Sequence, residues 1–482
     1  MIKINWKPDK SSGTSLYKQI VSYMKEKISN GEWTLGSRLP TQRELSERFE
    51  VNRSTVIEAL SELKAEGLIE GNSRGGTKIV NNAWSVLMST SPTNWQNYIT
   101  SGLHKPNLQT IQLINELEFE EGMIRLGTGE LSPDLYPKEM MKTVLTNVSD
   151  KINSLGYEEP KGLLYLRQVL SQYVKKYGIN VSPDSILIVS GSLQAFQLIS
   201  MGILSPGSTV LTERPSYIKS LSVFESSGMR LNGIDMDAYG AKPKDILKSI
   251  NSKDTSLLYT IPTFHNPTGI IMPKSRRDEI LELCSNERLP IIEDDVYREL
   301  WLDEEPPKPL KAEDKNDNIL YLGSISKTLA AGLRIGWLIG PEVVVERLGD
   351  IKMQTDYGSS SLSQWALAEW IESGLYNKHI LEVRKNLKLR RQIVLRCLDE
   401  YFSDIATWNK PKGGFYIWLN LNKQISMNKL FKDAYKNGLL INIGNIYDFS
   451  NNSNIRISYS YASLIDLEEG LKKLSKLIRE CD

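Results

Sequence analysis

At 482 residues, 40% apolar and 24% charged, the chain is longer than one hydrophobic core usually organises, so two or more domains are expected. The net charge of +1 is unevenly spread: residues 1–80 carry 13 Lys and Arg against 10 Asp and Glu, an excess too small to imply nucleic-acid binding by itself. No apolar run approaches the roughly 18 residues of a membrane span, and MIKINWKPDK lacks the apolar core of a signal peptide, so a cytoplasmic protein with no membrane partner is expected. Cys284, Cys397 and Cys481 are scattered, as reduced thiols would be, and His104, His265 and His379 lie too far apart for a local metal motif; no metal is expected.

Leu16, Ile20, Met24 and Ile28 recur at four-residue steps, which predicts an amphipathic helix ending at Asn30-Gly31. Thr41, with Glu44 three residues on, forms a capping box for a second short helix, RELSERF. Asn52 or Ser54 caps a third, whose inner face is Val56, Ala59, Leu60 and Leu63 and whose first turn presents Arg53, Ser54 and Thr55. LIEGNSRGGTKIV then reads as a hairpin around a Gly-rich turn containing Arg74. Three helices and a hairpin make a winged helix-turn-helix, or a small helical oligomerisation domain. The run Gly36-Ser37-Arg38-Leu39-Pro40, Arg43-Glu44-Leu45, Val51 to Val56 and Glu66-Gly67-Leu68-Ile69 resembles the DNA-binding domain of the GntR family. The resemblance implies that Arg43, Arg53, Ser54 and Thr55 contact phosphates or bases of a double-stranded operator. It also puts Arg74, Gly75 and Gly76 near the minor groove. Ile57 stands where many relatives carry a further arginine.

Residues 81–121 hold Ser, Thr, Pro and Asn among isolated apolar residues and read as a linker, with TIQLINELEF able to form a helical turn or two. As a flexible coil it would reach roughly 35 Å. From Gly122 short apolar runs alternate with helical periodicity (SILIV, LQAFQLISMGIL; STVLT, SYIKSLSVFESSG; SLLYT, RRDEILELC; LPIIED; NILYLG). That alternation predicts an α/β domain over 122–482, with a mostly parallel central sheet and a ligand at the carboxyl ends of its strands.

The chemistry-bearing residues fall at those ends. Ser192, Leu193 and Gln194 follow a strand and open a helix, so their amides and the Ser192 hydroxyl suit a phosphate or simply cap the helix. Tyr217 stacks on a flat ring or plugs the core. Asn266, in HNPTG, sits in a rigid turn that can aim its amide at a phenolic oxygen or is an ordinary turn. The carboxylates of Glu293-Asp294-Asp295 end a buried strand and call for a metal or a cationic partner, which for Asp294 would be a protonated pyridine nitrogen. Lys327 lies past an apolar run among small hydroxyl residues, between Ser324 and Arg334, so by itself it is a solvated surface lysine or, in the company of the other motifs, one that holds an aldehyde near a phosphate site. Arg456, in an apolar strand, should meet a carboxylate, either internal or that of an amino acid.

In this order the motifs resemble the fold-type I pyridoxal-phosphate enzymes, nearest their 2-aminoadipate and kynurenine aminotransferase branch. The resemblance implies pyridoxal 5'-phosphate bound as a Schiff base on Lys327, its pyridine nitrogen on Asp294, its ring oxygen held by Asn266 and Tyr297, and its ring stacked on Tyr217. Ser192, Ser324 and Arg334 would hold the phosphate, Arg456 a ligand carboxylate, and Tyr157 the neighbouring subunit's phosphate in a homodimer. Joined to a GntR-type reader, the domain is similar to the MocR subfamily of transcription regulators. The implied function is a cofactor used to sense an amino acid, an amine or the cofactor itself. The alternative is a working aminotransferase with an appended DNA-binding domain.

Overall fold

The computed structural model describes residues 2, 4–29, 32–34, 36–66, 68–72, 76–80, 108–154, 156–250, 255–448 and 453–481. The chain divides into two compact units, Met1–Gly102 and Leu103–Asp482.

In the first unit, α1 (Leu16–Ser29), α2 (Gln42–Phe49) and α3 (Arg53–Ala65) precede the antiparallel pair β1 (Ile69–Asn72) and β2 (Gly76–Ile79). The helical periodicity read from sequence is the packing interface: Ile20, Met24, Ile28, Leu45, Phe49, Val56, Ala59, Leu60 and Leu63 share one core with Ile69 and Ile79 of the wing. Trp6 stacks on Tyr23 with ring centroids 4.5 Å apart, closing the core beside Phe49. Thr41 caps α2 through the reciprocal bonds of a capping box with Glu44. Asn52 occupies the cap position of α3 without a side-chain hydrogen bond, so Ser54 is free to face outward from the first turn.

The stretch read as a linker is not one throughout. Residues 81–107 lie outside the described part, but α4 (Gln109–Leu117) is a helix of the second unit whose Ile111 and Ile114 are buried in the large core. Ile111 and Ile114 are three apart, so isolated apolar residues in sequence become one face of a helix.

The second unit is built on an eight-stranded sheet in the order β4 (Ile186–Val189), β11 (Gly336–Ile339), β10 (Ile319–Ser324), β9 (Ile291–Asp294), β8 (Thr255–Thr260), β5 (Thr209–Arg214), β6 (Arg230–Asp237), β7 (Gly240–Ala241). Neighbours from β10 to β6 run parallel, while β11 opposes both its neighbours and β7 opposes β6. Every residue of β4, β9, β10 and β11 is buried, as continuous apolar runs covered on both faces should be. A smaller antiparallel sheet, β12 (Ala406–Thr407), β13 (Tyr416–Leu421), β16 (Asn454–Ser458) and β15 (Asn442–Ile443), carries Arg456, and β3 (Ile124–Arg125) pairs with β14 (Leu439–Leu440). Among the described residues no helix is long and apolar enough to cross a membrane.

Candidate functional site

The carboxyl ends of β4, β5, β8, β9 and β10 converge on two cavities. One, of about 270 Å³, is lined by Gly191, Ser192, Leu193, Tyr217, Asn266, Asp294, Tyr297, Ser324, Ser326, Lys327 and Arg334. The other, of about 240 Å³, is lined by residues of α4 and by Gly127, Gly129, Tyr416, Asn442 and Arg456. Tyr217, Asn266 and Lys327 line both.

At the β4 end, the helix Ser192–Gly202 starts after Gly191, whose φ of 91° is left-handed. A Cβ there would lie 3.0 Å from Arg334 Nη2, so glycine is what lets the guanidinium approach the loop. Arg334 donates Nη2 to the Ser190 carbonyl at 2.8 Å, and Ser324 Oγ lies 3.0 Å from Ser326 Oγ. The first-turn amides of a helix have no intrahelical acceptor. With Ser192, Ser324, Ser326 and Arg334 they form a cradle for a dianion such as phosphate. Gln194 belongs to this loop differently from the expectation: its Oε1 accepts from Ser190 N at 2.7 Å and its Nε2 bonds Asp356, so its side chain braces the loop instead of lining the cavity.

The three carboxylates ending β9 separate by the two-residue period of a strand. Glu293 accepts from the Leu310 and Lys311 amides at 2.8 and 2.9 Å, and Asp295 pairs with Arg298. Asp294 alone faces the cavity, where Oδ2 accepts from Tyr259 OH at 2.9 Å and Oδ1 is buried with no partner. Burial pushes the Asp294 carboxyl up to about 6. A buried carboxylate with one oxygen unmet is a site for a cationic N–H.

Asn266 donates Nδ2 to Tyr297 OH at 3.3 Å and accepts from Arg456 Nη1 through Oδ1 at 2.8 Å. Lys327 Nζ donates to the Gly129 carbonyl at 2.7 Å. The ammonium is held by one neutral acceptor, at the junction of the two cavities. Beneath, Glu213 accepts from Ile261 N at 2.8 Å and lies 3.4 Å from His265 Nε2, tying the strand ends that carry Tyr217 and Asn266. Burial pushes Glu213 up to about 7 and His265 down to about 3, so the imidazole is neutral.

Arg456 is 3% exposed, and of the two partners open to it, an internal acid or the carboxylate of an amino acid, the internal acid is not found among the described residues. Its guanidinium bonds Asn266 Oδ1 and the Gly127 carbonyl, and sits 4.0 Å from the Tyr416 ring centroid and 4.9 Å from that of Tyr447. Its Nε has no partner. Two electron-rich ring faces stabilise a cation without neutralising it, so the guanidinium can still pair with a carboxylate.

Tyr157 does not line either cavity; it is 84% exposed, with its ring 4.8 Å from that of Tyr357. In the first unit Arg43, Arg53 and Ser54 are exposed at the start of α2 and α3, and Thr55 is half-buried. Arg53 Nη2 reaches Gln42 Oε1 at 3.4 Å, and Ile57 is 45% exposed on the same helix. Arg74 and Gly75 lie outside the described residues; Gly76 opens β2 with a φ of 75°. Arg38 and Lys78, both exposed, are paired by an isolated bridge beside the wing. Sequence reasoning missed these two cations, and also Ser326, Tyr259, Tyr416 and Glu118. Of these, Ser326 lies one residue before Lys327 and Arg38 within the Gly36–Pro40 run that carries the family resemblance; the others had no local signal.

The profile described as Bacterial regulatory proteins, gntR family matches residues 16–79, and that described as Aminotransferase class I and II matches residues 121–474. The chain therefore belongs to the GntR-family transcriptional regulators that carry an aminotransferase-like domain, the MocR type. It is 53% identical to the HTH-type transcriptional regulator YdfD of Bacillus subtilis (strain 168) over 96% of each chain. It is 33% identical to the HTH-type transcriptional regulator NorG of Staphylococcus aureus (strain N315), covering 92% of this chain and all (100%) of that one. Among solved structures, the second unit is similar to Pyrococcus horikoshii kynurenine aminotransferase, with a TM-score of 0.74 and 32% identity over 78% of this chain and 96% of that one. The helix-turn-helix unit makes the protein a DNA binder.

Proposed function

We propose that this transcription regulator holds pyridoxal 5'-phosphate through Lys327 and responds to an amino acid or amine entering the second cavity. Pyridoxal phosphate, when bound, supplies an aldehyde that condenses with amines and a protonated ring that withdraws electrons. The residues fit it. Asp294 Oδ1, buried and unpaired, suits the ring nitrogen; Asn266 and Tyr297 suit the ring oxygen, Tyr217 the ring face. Ser192, Ser324, Ser326, Arg334 and the amides of Leu193 and its neighbours suit the phosphate. Tyr157 is assigned to the phosphate of a second subunit, which would account for its exposure and makes the working form a cytoplasmic homodimer.

The observation that carries the sensing role is the shared wall: Lys327 lines both cavities, and the second is bounded by a buried arginine lacking a counterion. A ligand whose carboxylate meets Arg456 and whose amine reaches the Lys327 position changes the interactions of both, so it favours one conformation over another by its differential affinity. Arg43, Arg53, Ser54, Thr55 and the wing residues Arg74, Gly75 and Gly76 are assigned to the operator. The same donor set would serve transamination, but the relatives named as regulators favour control of transcription as the main role. The test is operator binding by wild-type and Lys327→Ala protein, with and without a panel of amino acids, after borohydride reduction to locate the cofactor. Wild-type protein should carry the reduced adduct on Lys327 and change its DNA affinity with a ligand; Lys327→Ala should keep basal binding and lose both. An adduct on another lysine, or an undiminished response in Lys327→Ala, would overturn the assignment.

A further inference from the structure

Resting on the effector reading above, the charge pattern of the second cavity narrows the class of ligand. Arg456 answers an α-carboxylate, which leaves the rest of the lining to answer the side chain. Part of that lining is the end of α4, where Glu118 follows the last helical residue. Glu118 Oε1 accepts from Thr128 Oγ1 at 3.0 Å, and among the described residues no lysine, arginine or histidine pairs with its carboxylate. Asn442, 7% exposed, commits Nδ2 to Tyr447 OH at 3.0 Å and leaves Oδ1 buried without a partner. Asn442 is the cross-strand partner of Arg456 and sits beside the arginine, so the acceptor without a cationic partner at the α4 end is the Glu118 carboxylate.

We propose that the effector is an α-amino acid whose side chain ends in a cationic donor, a diamino acid, and that Glu118 selects it. Once a carboxylate neutralises Arg456, the charged side chains left in the cavity wall are Lys327, where the ligand's amine is placed, Glu118 and, at the exposed rim, Glu130. A dicarboxylic ligand would set like charges together at Glu118, and an apolar one would strip water from Glu118 without replacing its hydrogen bonds. An ammonium pairs with Glu118, while Ile111 and Ile114 of α4 offer an apolar wall for its methylene stem. The volume, about 240 Å³, falls below the roughly 300–1,000 Å³ of sites for drug-sized ligands and suits a single amino acid.

The test is a spectral titration of the full-length, cofactor-loaded protein with three probes of similar length: L-lysine, L-norleucine and L-2-aminoadipate. Wild-type protein should half-saturate with lysine at a concentration roughly tenfold or more below that for norleucine, with 2-aminoadipate weakest, as expected for a partly desolvated charge pair. Glu118→Gln keeps an oxygen for Thr128 but removes the charge, and should bring lysine to within about threefold of norleucine. Equal affinities in the wild type, or a lysine preference that survives Glu118→Gln, would overturn the proposal while leaving the sensing role standing. If none of the three shifts the spectrum although the cofactor is held on Lys327, the effector reading itself fails and this inference with it.

Discussion

Asp294 and Arg456 are each buried with one group unmet, and each lacks a different partner. For Asp294 the sign of the pH dependence follows from its surroundings. Burial, helped by nearby Asp295, outweighs the Tyr259 hydrogen bond and the attraction of Lys327, and the carboxyl rises to about 6. The folded state thus holds this proton more tightly than the unfolded chain, whose aspartates titrate near about 4. The group's contribution to stability without cofactor is present below about 4 and lost as pH rises toward 6. A protonated ring nitrogen needs the ionised form, so cofactor affinity should increase with pH through about 6 in the wild type. Asp294→Asn should bind more weakly and lose that step, which equilibrium titrations at several pH values would show; identical profiles would separate Asp294 from the ring. Arg456→Gln keeps a donor and removes the charge. Affinity for α-amino acids should drop by about 10–100-fold, whereas amines without a carboxylate should bind nearly as before. A uniform loss across both classes would mean that Arg456 only supports Asn266.

One helix in each unit carries a candidate residue. Helix α4 is the first described element after the reader unit, and its buried face both joins the large core and lines the second cavity. Ile114→Ala should destabilise the second unit by about 2–4 kcal/mol through lost burial and a residual cavity, read by chemical denaturation. It should also weaken ligand binding, since the same helix end carries Glu118; a stable variant with unchanged ligand affinity would detach α4 from sensing. Helix α3 offers Arg53 from its exposed first turn. If Arg53 meets a phosphate, Arg53→Ala should reduce the slope of log affinity against log salt by about 1. If it reads a base, discrimination at one operator position should fall by roughly 1–3 kcal/mol with little change of slope. An unchanged slope and unchanged discrimination would remove Arg53 from the interface.

For the whole molecule, two compact units in one chain mean that symmetry in the large unit need not be imposed on the reader. In the proposed homodimer the two readers can then occupy direct or inverted half-sites, provided these lie on one face of the DNA. Inserting about 5 base pairs between half-sites rotates one of them to the opposite face, whereas about 10 restores the phase. The first insertion should cost more affinity than the second in a gel-shift series. Equal losses would mean that the readers bind independently, and an absolute requirement for one inverted spacing would mean that they pair directly.

Short-range chemistry made much of this legible in advance. Four-residue apolar steps, the Thr41 capping box, strand-length apolar runs and the Lys327 and Asn266 motifs are local patterns, and local patterns specify local structure. They were enough to place a winged helix-turn-helix before an α/β unit and to predict a ligand site at its strand ends. What a partner across the fold decides could not be read that way. Gln194 turns to Ser190 and Asp356, 162 residues away, and Arg456 meets Asn266, 190 residues away, in place of an acid. Glu118 had no motif around it, because its environment is made by Thr128 and Tyr217 from elsewhere in the fold. The apolar residues of α4 were too few to announce a core helix until a large domain offered them a surface to bury against. Sequence determined which residues carry chemistry and in what order. Only tertiary structure decided which of them are left without a partner, because an unmet hydrogen bond is a property of everything that surrounds a group and not of its neighbours along the chain.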